Sequence, residues 1–333
     1  HRHRRVQLMG FGFGFGWSAA IGDAGGAAGL VPFSADFVNG AYVIDGGASD
    51  FATATDFTRA SAGWADNLAG TWSSFATNVA RITNKGILIE PASTNLIRNP
   101  EMAGSDPALE WFPANWSTYA GGGLSLTVEA TGSAIGFTYL RFRLQGVASG
   151  SDGMLIFFEA NNQITAAQWE TFVASCFMRL HAGGTSTITN LRFNLWENNA
   201  AGGNLNISYG TQIKDAISSS WQRFEYAAQL SQALTAFVQP ALEVSFAGGA
   251  AVDLTIDLVM PQLEKRSVAT SPIDGSRAAD ALVLNLPAGT HDLRYTFDDT
   301  TTQTIPDVAG GGTYAVPTNL DRPRVTRIDW GSV

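Results

Sequence analysis

Nine short runs with strand-like character lie between about residue 94 and residue 270 of this chain. Each run mixes β-branched and aromatic side chains with polar ones, and turn-forming residues separate it from the next. The runs are LSLTVEA, FTYLRFRLQ, MLIFFEA, TFVASCFMRL, TNLRFNLWEN, NLNISYG, QRFEYAAQL, FVQPALEVSF and VDLTIDLVMPQLE. This spacing is typical of two packed antiparallel sheets. We therefore predict an all-β chain with a jelly-roll β-sandwich at its centre.

The composition agrees with the all-β class and describes the surface. Of the 333 residues, 45% are hydrophobic, which is enough for a sizeable core. The 36 glycines, together with many Thr, Ser and Asn residues, favour short strands and turns over helices. Only 15% of the residues are charged, so the surface is mainly neutral and polar. Such a surface is common in Gly-rich β proteins, and it also suits contact with glycans or packing into an assembly.

Charge and cysteine content exclude several classes of function. The net charge of −9 argues against nucleic-acid binding, which needs a basic face. We expect no membrane insertion, because no stretch approaches the roughly 20 apolar residues that span a bilayer. Cys176 is the single cysteine and reads as a small core side chain, and the four histidines are too scattered for a metal motif.

Shifts in composition divide the chain into four parts. Residues 1–33 hold an aromatic repeat and a Gly-rich linker, and residues 34–93 form a β-rich collar. The jelly roll covers residues 94–270, and residues 271–333 are a linker with a small, separate C-terminal β module. Within the collar, Asn39-Gly40 predicts a hairpin with a tight type I′ turn.

The aromatic repeat MGFGFGFGW predicts a docking strand. In an extended chain Phe11, Phe13, Phe15 and Trp17 share one side, and the other side is bare backbone. An exposed ribbon of this kind would aggregate, so we expect a partner to cover it, for example by strand addition.

Two stretches combine aromatic rings with side-chain amides and acids, as glycan sites do. EWFPANWSTY lies in a turn-rich loop, and NLRFNLWENNAAGGNLNISY surrounds a polar loop. The candidate glycan-binding residues are Trp111, Trp116, Tyr119, Asn194, Trp196, Glu197, Asn198 and Tyr209. Core filling remains the alternative for each tryptophan.

Catalytic motifs are missing from the sequence, and we expect the protein not to be an enzyme. The acidic residues Glu159, Glu197, Asp298 and Asp299 leave open a carboxylate pair for glycoside hydrolysis. A structural Ca²⁺ between Glu101 and Asp257 is a further candidate, because jelly rolls can bind hard cations through oxygen ligands. No other cofactor is expected.

Three stretches, DFTRASAGW, GILIEPASTNLIRNPEM and MPQLEKRSVATSPIDGSRAAD, resemble a cassette of tailed-bacteriophage and gene-transfer-particle fibre and spike proteins. In that family the first two motifs precede, and the third follows, a jelly roll similar to carbohydrate-binding modules. The matching positions are Arg59, Ser61, Glu90, Pro91, Thr94, Asn95, Gln262, Leu263, Glu264, Ala269, Thr270, Ser271, Arg277, Ala278, Ala279 and Asp280. The resemblance spans roughly residues 34–281, and it departs at Pro272, where the family has an aromatic residue.

The resemblance implies a virion structural protein on the outside of the particle. Its N-terminus would attach to other virion proteins, its jelly roll would bind host surface polysaccharide, and the chain would form a homotrimer. Two alternatives stay open: a glycan-degrading spike, and a decoration protein or trimer stabiliser with no glycan site.

Overall fold

The computed structural model describes residues 31–331, which are almost entirely β-strand and loop. The docking strand predicted at Phe11–Trp17 and the linker after it lie outside these residues. The elements before the sandwich are β1 (Phe33–Asp36), β2 (Ala41–Ile44), β3 (Gly47–Ser49), α1 (Phe51–Ala54), β4 (Thr55–Thr58), β5 (Gly63–Asp66), β6 (Trp72–Phe75), β7 (Ile82–Thr83), β8 (Gly86–Leu88) and β9 (Ser93–Thr94). Asp50 caps the helical turn α1, and its side chain accepts a hydrogen bond from the Thr53 N–H at 2.8 Å.

Ten further strands form the sandwich, and six follow it. The sandwich strands are β10 (Ser117–Ala120), β11 (Ser125–Ala134), β12 (Phe137–Val147), β13 (Asp152–Phe157), β14 (Thr171–Gly183), β15 (Ile188–Asn198), β16 (Asn204–Tyr209), β17 (Gln222–Gln229), β18 (Phe237–Phe246) and β19 (Ala251–Glu264). The final strands are β20 (Ser276–Arg277), β21 (Ala281–Leu286), β22 (Thr290–Phe297), β23 (Thr302–Ala309), β24 (Gly312–Ala315) and β25 (Arg324–Gly331).

The sandwich confirms the predicted fold class. Its two sheets have the orders β10-β13-β18-β15-β16 and β11-β12-β19-β14-β17, and we name the first the groove sheet. Alternation along each strand sends one set of side chains inward, as in β18, where Leu242 and Val244 are fully buried and Glu243 lies on the other face. Cys176 is also fully buried in this core, as predicted.

Strands from both ends of the described chain build a second body. β1 lies between β2 and β25, with Phe33 opposite Trp330, and both of these side chains are fully buried in a shared core. β4 likewise pairs with β21, and β8 pairs with β25. The collar and the C-terminal segment are therefore one unit, where the sequence analysis divided them into two parts. A module of some 50 residues buries too little apolar surface alone, and strands from the collar supply the rest.

The collar hairpin forms, but its turns differ from the prediction. β1 and β2 pair as expected, yet Asp36 lies opposite Ala41, which leaves a four-residue loop. The Asp36 carboxylate accepts hydrogen bonds from the backbone of Val38 and Asn39 at 3.1 and 2.9 Å and holds this loop. The two-residue turn comes next in the chain, at Asp45-Gly46 with φ values of 51° and 72°, the positive values that a type I′ turn requires.

The two bodies meet through aromatic rings. Trp64 and Trp72, from the hairpin of β5 and β6, reach the sandwich, where the Trp64 ring centroid lies 4.5 Å from Phe137 and that of Trp72 lies 5.6 Å from Phe177. These contacts fix the second body against the sheet opposite the groove sheet. Within residues 31–331, no helix is long and apolar enough to cross a membrane.

A buried ionic cluster joins the same two bodies, and we call it the junction network. It consists of Arg59, Arg81, Glu90, Ser271, Arg277 and Asp280. The Glu90 carboxylate is bound by Arg81 at 2.8 Å and by Arg277 at 2.6 Å. Asp280 is bound by Arg59 at 3.1 Å and also by Arg81, which therefore bridges both carboxylates. Five of the six residues belong to the family-like motifs, so those motifs encode the joint that frames the sandwich.

Candidate glycan-binding groove

A depression of about 310 Å³ lies on the outer face of the groove sheet, and we call it the groove. Its volume lies at the lower end of the range for small-ligand sites, which is ~300–1,000 Å³. The lining residues are Tyr119, Asp152, Gly153, Leu155, Asn194, Trp196, Ile207, Tyr209, Glu243 and Ser245.

Strand register places these side chains in rows across the sheet. Tyr119 on β10 lies opposite Leu155 on β13, which in turn lies opposite Glu243 on β18. Asn194 on β15 lies between Ala241 on β18 and Tyr209 on β16. Directly opposed residues share a face of a sheet, so side chains from all five strands converge here.

Aromatic rings border the groove on both edge strands. Tyr119 and Tyr209 are each 50% exposed, so part of each ring is open to a ligand. The Arg192 guanidinium lies 4.0 Å from the centroid of the Tyr209 ring and fixes its orientation. Trp196 is half-buried and packs edge-to-face on Phe157, with centroids 5.2 Å apart. The groove thus offers flat rings held in place by neighbouring side chains.

An ionised carboxylate forms the polar centre of the groove. Glu243 accepts hydrogen bonds from Arg192 at 3.1 and 3.2 Å, and it also accepts from Asn194 and Ser245. Burial of the Glu243 carboxyl opposes its ionisation, but these hydrogen bonds outweigh the burial and lower the pKa of Glu243. The carboxylate is therefore charged at neutral pH.

A second carboxylate stands at the β10 edge. Asp152 accepts hydrogen bonds from the backbone N–H of Gly153 at 2.8 Å and from the Tyr119 hydroxyl at 3.0 Å. The backbone bond and the tyrosine bond lower the pKa of Asp152, and the same hydroxyl–carboxylate contact raises the pKa of Tyr119. Asp152 thereby fixes the position of the Tyr119 ring at the groove edge.

Two buried polar atoms among the groove residues have no protein partner. Asn194 Oδ1 and Trp196 Nε1 are both enclosed, and neither makes a hydrogen bond within the described residues. A buried polar group without a partner costs ~1–3 kcal/mol. One acceptor and one donor among the groove residues are thus left without a protein partner, and both are enclosed.

The structure brings together four of the eight sequence-predicted residues: Tyr119, Asn194, Trp196 and Tyr209. Trp116 does not take part, because it is 9% exposed and packs in the core with its ring centroid 5.1 Å from Phe158. Trp111 is exposed but lies in a loop outside the groove lining.

Glu197 and Asn198 have structural roles instead. The fully buried Glu197 carboxylate accepts hydrogen bonds from the backbone of Ser231 and Gln232 and from the Thr235 hydroxyl, and so holds the loop after β17. The Asn198 amide donates to Asn161 at 2.9 Å. Neighbouring residues on a strand point to opposite faces, so Glu197 lies on the face opposite its neighbour Trp196.

Sequence reasoning missed most of the polar half of the groove. Asp152, Arg192, Glu243 and Ser245 come from strands far apart in the chain. The alternation in LEVSF places Glu243 and Ser245 on an outer face, which was a usable signal. Only the pairing of β18 with β15 places Glu243 opposite Arg192.

The proposed Ca²⁺ ligands do not form a site. Asp257 is fully buried, and its oxygens accept hydrogen bonds from Arg141 at 2.6 Å and from Arg179 at 2.8 Å. Burial of the Asp257 carboxyl is outweighed by these arginine bonds, which lower its pKa. Glu101 is exposed in a turn. Across residues 31–331, no group of three or more His, Cys, Asp or Glu side chains is arranged to hold a metal ion.

The carboxylates considered for hydrolysis have other partners as well. Glu159 is fully buried and paired with Arg98 at 2.7 Å. Asp298 and Asp299 both pair with Arg322. None of the three lines the groove.

Comparison with known proteins gives structural likeness only. No family model matches the chain, and no curated protein does. An arabinose-bound α-L-arabinofuranosidase is 19% identical with a TM-score of 0.38, over 57% of this chain and 28% of that enzyme. The CBM22-1 xylan-binding domain of Xyn10C from Paenibacillus barcinonensis is 15% identical with a TM-score of 0.32, over 53% of this chain and 94% of that domain.

A bacteriophage structure is among the similar ones. The enzymatically active domain of bacteriophage CBA120 tailspike protein 4 is 8% identical with a TM-score of 0.32, over 49% of this chain and 21% of that protein. The chain thus spans less than a third of the arabinofuranosidase and of the tailspike. These likenesses concern the arrangement of strands, and the chemistry of the groove follows from its own residues.

Proposed function

We propose that this chain is a non-enzymatic glycan-binding protein and that the groove is its binding site. The observation that carries the proposal is the convergence of exposed Tyr119 and Tyr209 with Trp196, Asn194 and Glu243 on one sheet face. Sugar rings present C–H patches that pack on aromatic faces, and their hydroxyls need hydrogen-bond partners of both kinds. The polar residues Asp152, Asn194, Glu243 and Ser245 line the same depression.

The protonation states of the groove favour binding over hydrolysis. A glycosidase needs one carboxylic acid whose pKa is raised, so that it can protonate the leaving oxygen. The pKa values of Glu243 and Asp152 are both lowered, so neither groove carboxyl holds a proton at neutral pH.

We further propose that the protein is a fibre or spike component on the outside of a phage-like particle. Its N-terminus would attach to other virion proteins, the groove would bind host surface polysaccharide during adsorption, and the chain would act as a homotrimer. Support comes from the family-like motifs, whose residues Arg59, Glu90, Ser271, Arg277 and Asp280 meet in one buried network.

A glycan array combined with product analysis tests the function of the groove. We expect the full chain to bind a subset of glycans and release no products. A Tyr119→Ala/Tyr209→Ala double variant should lose that binding, and Trp111→Ala, which changes an exposed aromatic residue outside the groove, should keep it. Released oligosaccharides would instead identify a depolymerase, and binding to nothing would leave the decoration-protein alternative.

A deletion tests the attachment role separately. Removal of residues 1–17 should leave a folded protein that still binds glycan but no longer enters particles. Normal incorporation of the deleted chain would rule out N-terminal docking, and a native mass other than three chains would rule out the trimer.

A further inference from the structure

A tryptophan occupies an unusual backbone position at one end of the sandwich. Ala167 to Glu170 form a β-turn, closed by the Glu170 N–H donating to the Ala167 carbonyl at 3.3 Å. Trp169 is the third residue of this turn and has φ +70°. Turns with positive φ at this position normally have Gly or Asn there, because a side chain is strained in the left-handed region.

Hydrogen bonds on both sides hold the strained residue in place. The Trp169 N–H donates to the Leu230 carbonyl at 2.9 Å, and the Gln229 side chain donates to the Trp169 carbonyl at 3.0 Å. The Gln168 side chain donates to the Ser231 carbonyl at 2.8 Å, and Lys265 pairs with Glu170. These bonds hold the backbone of the turn, with Trp169 in its left-handed conformation.

The Trp169 ring packs little against the rest of the protein, although its backbone is held in the strained left-handed region. The Trp169 side chain is 64% exposed, and of the exposed aromatic residues in the described chain it alone has a positive φ. A strained residue held by its surroundings, with its side chain directed to solvent, is a common feature of ligand sites.

The Trp169 turn is connected to the groove through a short chain of contacts. Ser231, whose carbonyl binds Gln168, donates its own N–H to the buried Glu197 carboxylate at 3.0 Å. Glu197 directly follows Trp196, which lines the groove. Glu197 itself points away from the groove face, but the Ala166 N–H donates to the Ala236 carbonyl at 2.9 Å, and the Ala236 N–H donates at 2.9 Å to the carbonyl of Asn198, two residues beyond Trp196 on β15. The Trp169 turn therefore lies at the end of the sandwich where the strand of Trp196 ends.

We propose that Trp169 is a second sugar-stacking position, which binds a pyranose ring of the same polysaccharide that occupies the groove. The proposal rests on the function proposed for the groove and adds that the ligand is a polymer rather than a short glycan. A protein partner fits less well, because the centre of a protein interface is mainly apolar and depleted in charged residues. The Trp169 turn instead carries the charged Glu170–Lys265 pair beside the ring, with Leu234, which is 72% exposed, on the adjoining loop.

The test compares one glycan at two lengths. The best ligand from the glycan array is measured by calorimetry as a free trisaccharide and as its parent polymer. Trp169→Gly and Trp169→Asn both fit a left-handed backbone, so neither should lower the melting temperature. We expect both variants to bind the polymer about tenfold more weakly and the trisaccharide as well as wild type does.

Trp111→Ala is the matched control, because it removes an equally exposed tryptophan elsewhere and should leave both affinities unchanged. Wild-type polymer affinity in Trp169→Gly would overturn the proposal while the groove function stands. Equal losses of affinity for the trisaccharide and the polymer would also overturn it. So would a Trp169 variant that changes from an oligomer to a monomer while its glycan affinity stays that of wild type. Absence of any glycan binding by wild type would remove the groove function and this proposal together.

Discussion

The groove and the junction network are both built from charged and polar side chains, but they differ in how far their side chains are exposed to solvent. In the junction network, Arg59 and Arg81 are fully enclosed, and each carboxylate binds two guanidinium groups. Both sites contain two buried polar atoms without a partner among the described residues, Arg81 Nε and Arg277 Nε in the network and Asn194 Oδ1 and Trp196 Nε1 in the groove. The groove differs because Tyr119 and Tyr209 are half-exposed, which leaves this site open to a ligand, whereas the charges of the network are paired within the chain.

The comparison shows that the residues that carry the sequence resemblance are not the residues that form the groove. The family-like motifs lie in the junction network, where buried charges tolerate few replacements because loss of one partner leaves another charge uncompensated. The groove residues lie on separate strands with no shared motif. A recognisable motif in this chain therefore reports the scaffold, and the ligand site has to be found from strand pairing.

The largest expected effect comes from breaking the junction network. Arg81→Ala removes the guanidinium that bridges Glu90 and Asp280 and leaves both carboxylates short of a partner. We expect the free energy of unfolding to fall by about 3–5 kcal/mol in urea titrations. Arg322→Ala, which removes a half-exposed pair with Asp298 and Asp299, should cost less than about 1 kcal/mol. Equal losses in the two variants would remove the contrast between a buried and an exposed ion pair.

Acid should weaken the same network. Burial alone would raise the pKa of Glu90, but Arg277, Arg81 and Ser271 outweigh it and lower this pKa from 4.5 to about 2. The stabilisation is present above pH 4.5 and is lost as the pH falls towards 2, because the unfolded chain binds the proton first.

The expected loss is of the order of 3 kcal/mol, measured by urea unfolding across that range. The Glu90→Gln variant should be less stable than wild type at neutral pH. Its free energy of unfolding should also fall less steeply between pH 4.5 and pH 2, because the titrating group is gone. If the free energy of unfolding of Glu90→Gln falls as steeply with acid as that of wild type, other carboxylates cause the loss of stability.

Substitutions in the groove should change affinity and leave stability alone. Tyr209→Ala removes a half-exposed ring and should weaken glycan binding about three- to tenfold with little change in melting temperature. Tyr209→Phe keeps the ring beneath Arg192 and should bind nearly as well as wild type. A loss of stability comparable to that of Arg81→Ala would mean that Tyr209 belongs to the scaffold.

The smallest effect is expected from pH on binding. Glu243 and Asp152 have lowered pKa values, and no histidine lines the groove. Affinity measured by calorimetry should therefore stay constant between about pH 5 and pH 8. A bell-shaped dependence, with product release, would point to an acid–base pair and to the depolymerase alternative.

Several features could be predicted from short stretches of sequence, because they depend only on the side-chain pattern within one strand. Period-two alternation places Leu242 and Val244 inside and Glu243 outside, and Cys176 reads correctly as a core residue. The hairpin of β1 and β2 was also predicted, although its loop has four residues and not the two-residue Asn39-Gly40 turn. Trp116 could not be distinguished from a ligand-binding tryptophan, because burial depends on what packs over the loop.

The amino-acid sequence by itself determined the all-β class, the sandwich and the presence of aromatic and amide side chains suited to glycans. Only the tertiary structure decided which of those side chains meet. Cross-strand register brought Asn194 next to Tyr209 and Glu243 next to Arg192, and it joined β1 to β25 from opposite ends of the described chain. Alternation fixes which face a side chain occupies, but pairing between distant strands depends on burial of the whole core, which no short stretch of sequence contains.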